Sequence, residues 1–340
     1  MKKFIAFLLS LLLAFSCLLF SACNTNKGSL KQRDTAKKIA NGETLKIGII
    51  QLMSHPSLDN CYAGIEQALK DSGIKYDLDH KTGSANSAVS DCTTYAKDMV
   101  ASNYDMIITI ATPAAKSAFA ACADTDIPMI FCAVSDPIEA KIVKSLEKPG
   151  DLATGTSDVL DFDAHLALIK AFQPNVKKLG VIYTSSEENS LSQLRRLTAV
   201  CDKNGIEIVS AAVQNPSEVA AAANNVCAKV DCLLNFTDNN VVNNLSVVLS
   251  AANSRGIPVY GSEVEQVING CMASVSIDYV ALGKTTGEMA VKVLRGSDIT
   301  KMAVQTISDA KPVYNSEVLN ALGLTLPSQY ADIEDVGKKN

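Results

Sequence analysis

Tryptophan is absent from the 340 residues, and histidine occurs only three times, as His55, His80 and His165. The first shortage removes the indole surfaces on which flat ligands often stack. The second limits acid–base and metal chemistry, and no H-E-x-x-H helix, C-x-x-C pair or G-x-S-x-G turn makes it good. An exported hydrolase is therefore poorly supported, and no cofactor or metal is expected. His55 with Asp59 one turn on has a spacing that would suit a metal, but a turn-and-cap role or a ligand contact is preferred for it. After the first 23 positions no apolar run approaches the ~20 residues that would cross a bilayer. Clustered basic residues are also missing beyond the N-terminal stretch. The net charge is −5 overall; two lysines in residues 1–23 and a net +3 in residues 24–44 leave −10 from Leu45 onward. So acidic a chain is a poor match for nucleic acid, which needs grouped cations.

What is present begins with an export signal. Met1-Lys2-Lys3 and the apolar run to Phe20 form the charged and hydrophobic regions of a cleaved leader. The run closes on Leu18-Leu19-Phe20-Ser21-Ala22-Cys23, which resembles a bacterial lipobox and marks Cys23 for lipidation. Phe20 departs from the usual Leu or Val, Cys17 is a rival acceptor, and an ordinary secretory signal with a chance cysteine is the plainer alternative. More than one acyl chain on Cys23 would hold the protein on the bilayer without spanning it. Residues 24–44, polar and basic without helical or strand period, read as a tether. The remaining eight cysteines sit within apolar patterns such as Ile130-Phe131-Cys132-Ala133, which favours small buried thiols over bridges.

Nearly 300 residues with 47% hydrophobic content can bury a core of about two domains. Short apolar runs at residues 45–51, 106–110, 128–133, 179–183, 207–213, 232–236 and 257–260 read as buried parallel strands. Residues 58–72, 89–100, 191–201 and 241–249 carry apolar positions at helical spacing. Alternation of this kind predicts an α/β fold with doubly wound parallel sheets. Ligands of such sheets bind beyond the strand C-termini, where helix N-termini offer backbone N–H groups. Five polar loops occupy those places: Gln51 to Ser57, Ala111 to Ala114, Val134 to Pro137, Thr184 to Ser190 and Phe236 to Asn240. Each could merely cap a helix, but two lobes facing one another would gather all five.

The motifs Gln51…His55-Pro56-Ser57-Leu58-Asp59, Thr112-Pro113-Ala114-Ala115, Val134-Ser135-Asp136-Pro137, Pro149-Gly150…Thr154-Gly155, Glu187…Asn189-Ser190, Thr237-Asp238-Asn239 and Ile277-Asp278-Tyr279…Leu282-Gly283 together resemble the tryptophan/tyrosine-type substrate-binding proteins of ABC transporters. The resemblance runs from about Lys46 to Pro327. It implies a type I periplasmic-binding-protein architecture with two Rossmann-like lobes and three hinge crossovers, closing on a ligand. The crossovers are expected near Ser157-Asp158, Ser262-Glu263 and Gly296-Ser297. Residues 45–157 plus 263–296 would then form lobe 1, and residues 158–262 plus 297–335 lobe 2. The implied partners are a small amino-acid-like ligand, permease and ATPase subunits, and the extracytoplasmic membrane face, with the protein itself a monomer.

The expected ligand contacts are Gln51, His55, Thr112, Pro113, Ser135, Asp136, Glu187, Asn189, Ser190, Thr237, Asp238, Asn239, Asp278 and Tyr279. Helix N-termini at Thr112, Ser135 and Ser190 would take a carboxylate. Asp238 is the first choice for an ammonium, followed by Glu187 and Asp278. Tyr279, Phe131 and Phe236 are candidates for an aromatic slot, with a strand-core place the more natural one for Phe131. Ser54 stands where the family often has an acid, and Cys132 and Cys271 are unusual, which leaves a non-aromatic amino acid or another small polar solute open. A ligand sensor that reports to a receptor is a further alternative.

Overall fold

A computed structural model describes residues 31–306 and 310–337; the leader and the Cys23 lipidation site lie outside the described residues. Apolar runs without alternation become strands covered on both faces, as expected of parallel sheets, except residues 207–213, which were expected to be buried and instead form a largely exposed edge strand with a partner on one side only. Strands β1 (Leu45–Gln51), β3 (Met106–Ile110) and β4 (Met129–Cys132) are buried almost throughout. With β2 (Tyr76–Thr82), β5 (Ala153–Ser157) and β11 (Gln305–Thr306) they make a parallel sheet in the order β11-β5-β4-β3-β1-β2. The second sheet contains β6 (Lys178–Thr184), β7 (Glu207–Val213), β8 (Cys232–Leu234), β9 (Val259–Tyr260), β10 (Ala273–Ser276), β12 (Lys311–Tyr314) and β13 (Glu334–Asp335). Its order is β13-β12-β10-β9-β8-β6-β7, with β10 and β12 antiparallel. All eight described cysteines are free and buried.

Between the strands run the helices α1 (Thr35–Ala40), α2 (Pro56–Asp71), α3 (Ala88–Ala101), α4 (Thr112–Cys122), α5 (Phe162–Phe172), α6 (Glu188–Lys203), α7 (Val219–Cys227), α8 (Asn239–Asn243), α9 (Leu245–Asn253), α10 (Val264–Ile268), α11 (Tyr279–Leu294) and α12 (Ser316–Ala321). The pair α2 and α11 packs in parallel, and glycine makes the crossing possible. A Cβ on Gly64 would lie 2.2 Å from the Val280 carbonyl oxygen, and one on Gly283 would lie 2.1 Å from that of Cys61. Such approach tolerates no side chain.

Three expectations about organisation are corrected. The second crossover is not at Ser262-Glu263, because β10 pairs with β9 and stays in the second sheet; the chain returns at Asp278, where α11 begins. The third lies beyond Gly296-Ser297, because β11 still pairs with β5 of the first sheet. Nor are residues 24–44 a free tether throughout. From Gln32 the chain docks on the first lobe: Arg33 forms a 2.5 Å ion pair with Asp126, Lys38 a 2.6 Å pair with Asp105, and the Thr35 hydroxyl donates to the Leu294 carbonyl at 2.7 Å. Arg33 and Lys38 have fixed acidic partners, which composition alone does not reveal.

Candidate functional site

The C-terminal ends of β3, β4 and β5 and the first turns of α2, α4, α6, α8 and α11 surround a cavity with about 320 Å³ of space between protein atoms, part of it open to solvent. The first lobe contributes His55, Ser57, Leu58, Ala111, Thr112, Ala133 and Ser135. The crossovers and their neighbours contribute Asp158, Glu263 and Tyr279, and the second lobe Asn189, Thr237, Asp238, Asn239 and Val242. Two wall residues carry backbone strain: Ala111 has φ 80° and Ala133 φ 55°, values that alanine seldom adopts and that tend to collect at functional sites.

Three features of this wall lack partners within the protein. Helix α4 is capped by Ala111, which has no capping side chain, and the buried Thr112 hydroxyl has no hydrogen-bond partner. An uncapped helix N-terminus beside a free hydroxyl is suited to a carboxylate. Asp158 is buried and accepts from the Tyr279 hydroxyl at 2.9 Å through Oδ2, while its Oδ1 is unpartnered. Burial raises the Asp158 pKa, and the Ser135 and Tyr279 hydroxyls beside it hold that rise back. His55 is buried with neither ring nitrogen bonded, and burial lowers its pKa to about 4 despite Asn239 and Asp59 nearby. Such orphaned atoms are rare in folded proteins and call for a polar occupant.

Glu263 is the second buried carboxyl of the cavity wall with few donors. Burial pushes it up to about 7, against hydrogen bonds from Gln266 (2.7 Å to Oε1) and Ser57. Asp238 is differently placed. It accepts from the Thr184 amide and hydroxyl, from the Ser190 hydroxyl at 2.7 Å and from the Val241 amide at 2.9 Å. Burial raises its pKa and these donors oppose the rise. Both of its oxygens are occupied by its own lobe. That removes the ground on which it was the first choice for an ammonium, and leaves Asp158 as the carboxylate with an oxygen to spare.

His55, Thr112, Ser135, Asn189, Thr237, Asp238, Asn239 and Tyr279 meet at the cavity; six other expected contacts do not line it. Gln51 is buried beside it, bonded to Asp59 at 2.6 Å and His80 at 3.0 Å. Ser190 is spent on Asp238. Asp136 caps Glu139 and accepts from Ser192 of the other lobe at 2.9 Å. Asp278 is exposed and caps α11 through Ala281. Pro113 and Glu187 border a wider groove outside the cavity, and Glu187 is held by Asn189 and Asn239. Its pKa rises to about 8, first through burial and then through Asp238. Phe131 and Phe236 are core residues, fully buried. Sequence reasoning passed over Asp158 and Glu263, which it treated only as crossover markers, and the wall positions Ser57, Leu58 and Val242. The signal was an acid within a run that has no exposed neighbour, as in Thr156-Ser157-Asp158.

The lobes touch across the cleft. Lys116 pairs with Glu188, Arg195 with Glu139 at 2.7 Å, and the Asn60 amide donates to Glu265 at 2.5 Å. The arrangement is a closed one. Among the described residues no helix is long and apolar enough to cross a membrane, and no group of three or more His, Cys, Asp or Glu is placed to hold a metal.

Comparison with known proteins yields a family model described as ABC transporter substrate binding protein, matching residues 46–332. The Tyrosine-binding protein of Clostridioides difficile (strain R20291) is 38% identical over 95% of this chain and 93% of its own. A domain from Streptococcus pneumonia solved in complex with L-Trp is 37% identical over 84% of this chain and 97% of its own, with a TM-score of 0.80. The ligand-free, open structure of a substrate-binding protein with adhesive properties from Clostridium difficile is 38% identical over 87% of this chain and 100% of its own, at a TM-score of 0.67. At nearly equal identity, the chain superposes better on the complex than on the open form, in line with its cross-cleft contacts.

Proposed function

The chain belongs to the family of ABC transporter substrate-binding proteins, and on that premise we propose that its cavity holds the zwitterion of an aromatic amino acid, tyrosine or tryptophan. Proteins of this family work outside the cytoplasm and hand solutes to a permease driven by ATPase subunits. The observation that carries the proposal is the pair of unpaired polar groups in one cavity: Asp158 Oδ1 for an ammonium, and the uncapped α4 start with Thr112 for a carboxylate. Glu263 stands behind Asp158, and Tyr279 fixes it. Leu58, Val242 and the Tyr279 ring supply the apolar wall that an aromatic side chain needs. The relatives named for tyrosine and solved with L-Trp favour that class. Contacts from both lobes would draw the hinge shut, since a ligand shifts an equilibrium only by its differential affinity.

Anchoring through a lipidated Cys23, action as a monomer and the absence of turnover belong to the same reading. A thermal-shift panel of amino acids and nucleosides tests it. A true ligand at a hundred times its Kd adds about 2.7 kcal/mol to stability. A shift produced by nucleosides and by no aromatic amino acid refutes the assignment.

A further inference from the structure

His55 is the part of the wall that neither the ammonium end nor the carboxylate end uses. It occupies the N-cap position of α2 with extended backbone, yet its side chain makes no capping hydrogen bond. Only 7% of it is exposed, and both ring nitrogens are without partners. Burial keeps the ring neutral near pH 7, so it presents one N–H donor and one bare acceptor nitrogen. Asp158 and Glu263 are bonded to Tyr279 and Gln266, whereas the groups acting on His55 are Asn239 and Asp59. Ser57, two residues on, turns to Glu263, whereas the His55 ring itself lies against Asn239 of the second lobe, with Leu58 as the apolar cavity residue on the same first turn.

We infer that His55 is a specificity-determining residue that reads the polar tip of the ligand's aromatic side chain and favours a para-hydroxyl there, an inference that rests on the aromatic amino-acid reading of the cavity. The Asn239 amide stands beside the ring with its NH2 group shared with Glu187, and it can pair with one ring nitrogen only; the other is left for the ligand. A phenolic hydroxyl can donate to a bare nitrogen or accept from an N–H, so it satisfies the ring in either tautomer. An indole N–H serves only the bare nitrogen. A phenyl ring serves neither and leaves a buried polar atom unpaired, and sites built to bond a hydroxyl reject ligands lacking one for that reason.

Calorimetry on the full chain with L-tyrosine, L-tryptophan, L-phenylalanine and 4-fluoro-L-phenylalanine tests this. The unaltered protein should bind tyrosine about tenfold or more tighter than phenylalanine or its fluoro analogue, with tryptophan between. His55→Leu should shrink the tyrosine-to-phenylalanine ratio to within about twofold, while His55→Gln, which keeps a donor and an acceptor, should retain part of it. A ratio that survives in a folded His55→Leu protein overturns the inference, as does a ratio near one in the unaltered protein, which decides the matter should the leucine variant fail to fold. Failure of all four ligands to bind overturns the aromatic reading itself and this inference with it.

Discussion

Two pairs of buried carboxyls flank the cleft, and they differ in what surrounds them. In the second lobe Asp238 and Glu187 sit in a ring of donors from Thr184, Ser190, Val241, Asn189 and Asn239. Beside Tyr279 and Gln266, Asp158 and Glu263 have fewer donors, and Asp158 leaves one oxygen bare. All four are buried with raised pKa values. Burial therefore does not distinguish a binding acid from a scaffolding one. Hydrogen-bond completeness does: a satisfied carboxylate organises its own lobe, and an unsatisfied one waits for a cation.

Substitutions can break this contrast or sharpen it. Asp238→Ala would strand several buried donors, and denaturant unfolding should record a loss of about 3 kcal/mol. Unchanged stability with a tenfold loss of affinity would instead return Asp238 to the ligand. Asp158→Asn keeps an acceptor for Tyr279 but removes the charge. Calorimetry should show affinity weakened by about thirtyfold, or about 2 kcal/mol, with no loss of thermal stability in the ligand-free protein.

A smaller effect concerns pH. Folded Glu187 keeps its proton up to about 8, whereas the unfolded side chain releases it near 4.5. Between those values the unfolded chain binds fewer protons, so the contribution present below pH 4.5 is lost as pH rises toward 8. Thermal midpoints measured across that window should fall less steeply in Glu187→Gln than in the unaltered protein. Smallest is Arg33→Ala, which releases the docked N-terminal segment: about 1 kcal/mol or less of stability, because Asp126 is half exposed, with affinity unchanged within about twofold by the same titration.

The central strands were legible because parallel sheets bury both faces, so the runs ending at Gln51, Ile110 and Cys132 announce themselves in composition. Strand β2 (YDLDHKT) hid because it is a half-exposed edge with charges on it. Strand β5 (ATGTS) hid because its buried residues are small and polar, bonded to Met302 and Thr286 rather than packed as hydrocarbon. The cavity residues from strand-end loops were legible, since a loop that opens a helix on a sheet edge has few other places to face. Which acid keeps an unpaired oxygen was not legible, because that depends on donors remote in sequence: Thr184 lies 54 positions from Asp238, and Tyr279 lies 121 from Asp158.

The glycine-lined contact between α2 and α11 couples two ends of the site mechanically. One helix starts beside His55, and the other starts with Tyr279, whose hydroxyl steadies Asp158. With backbone pressed against backbone at Gly64 and Gly283, neither rod can slide or tilt alone. A methyl group inserted there would act as a wedge, prying the hinge carboxylate's support away from the rest of the wall. Damage a turn or two beyond the cavity wall would then register as poor recognition.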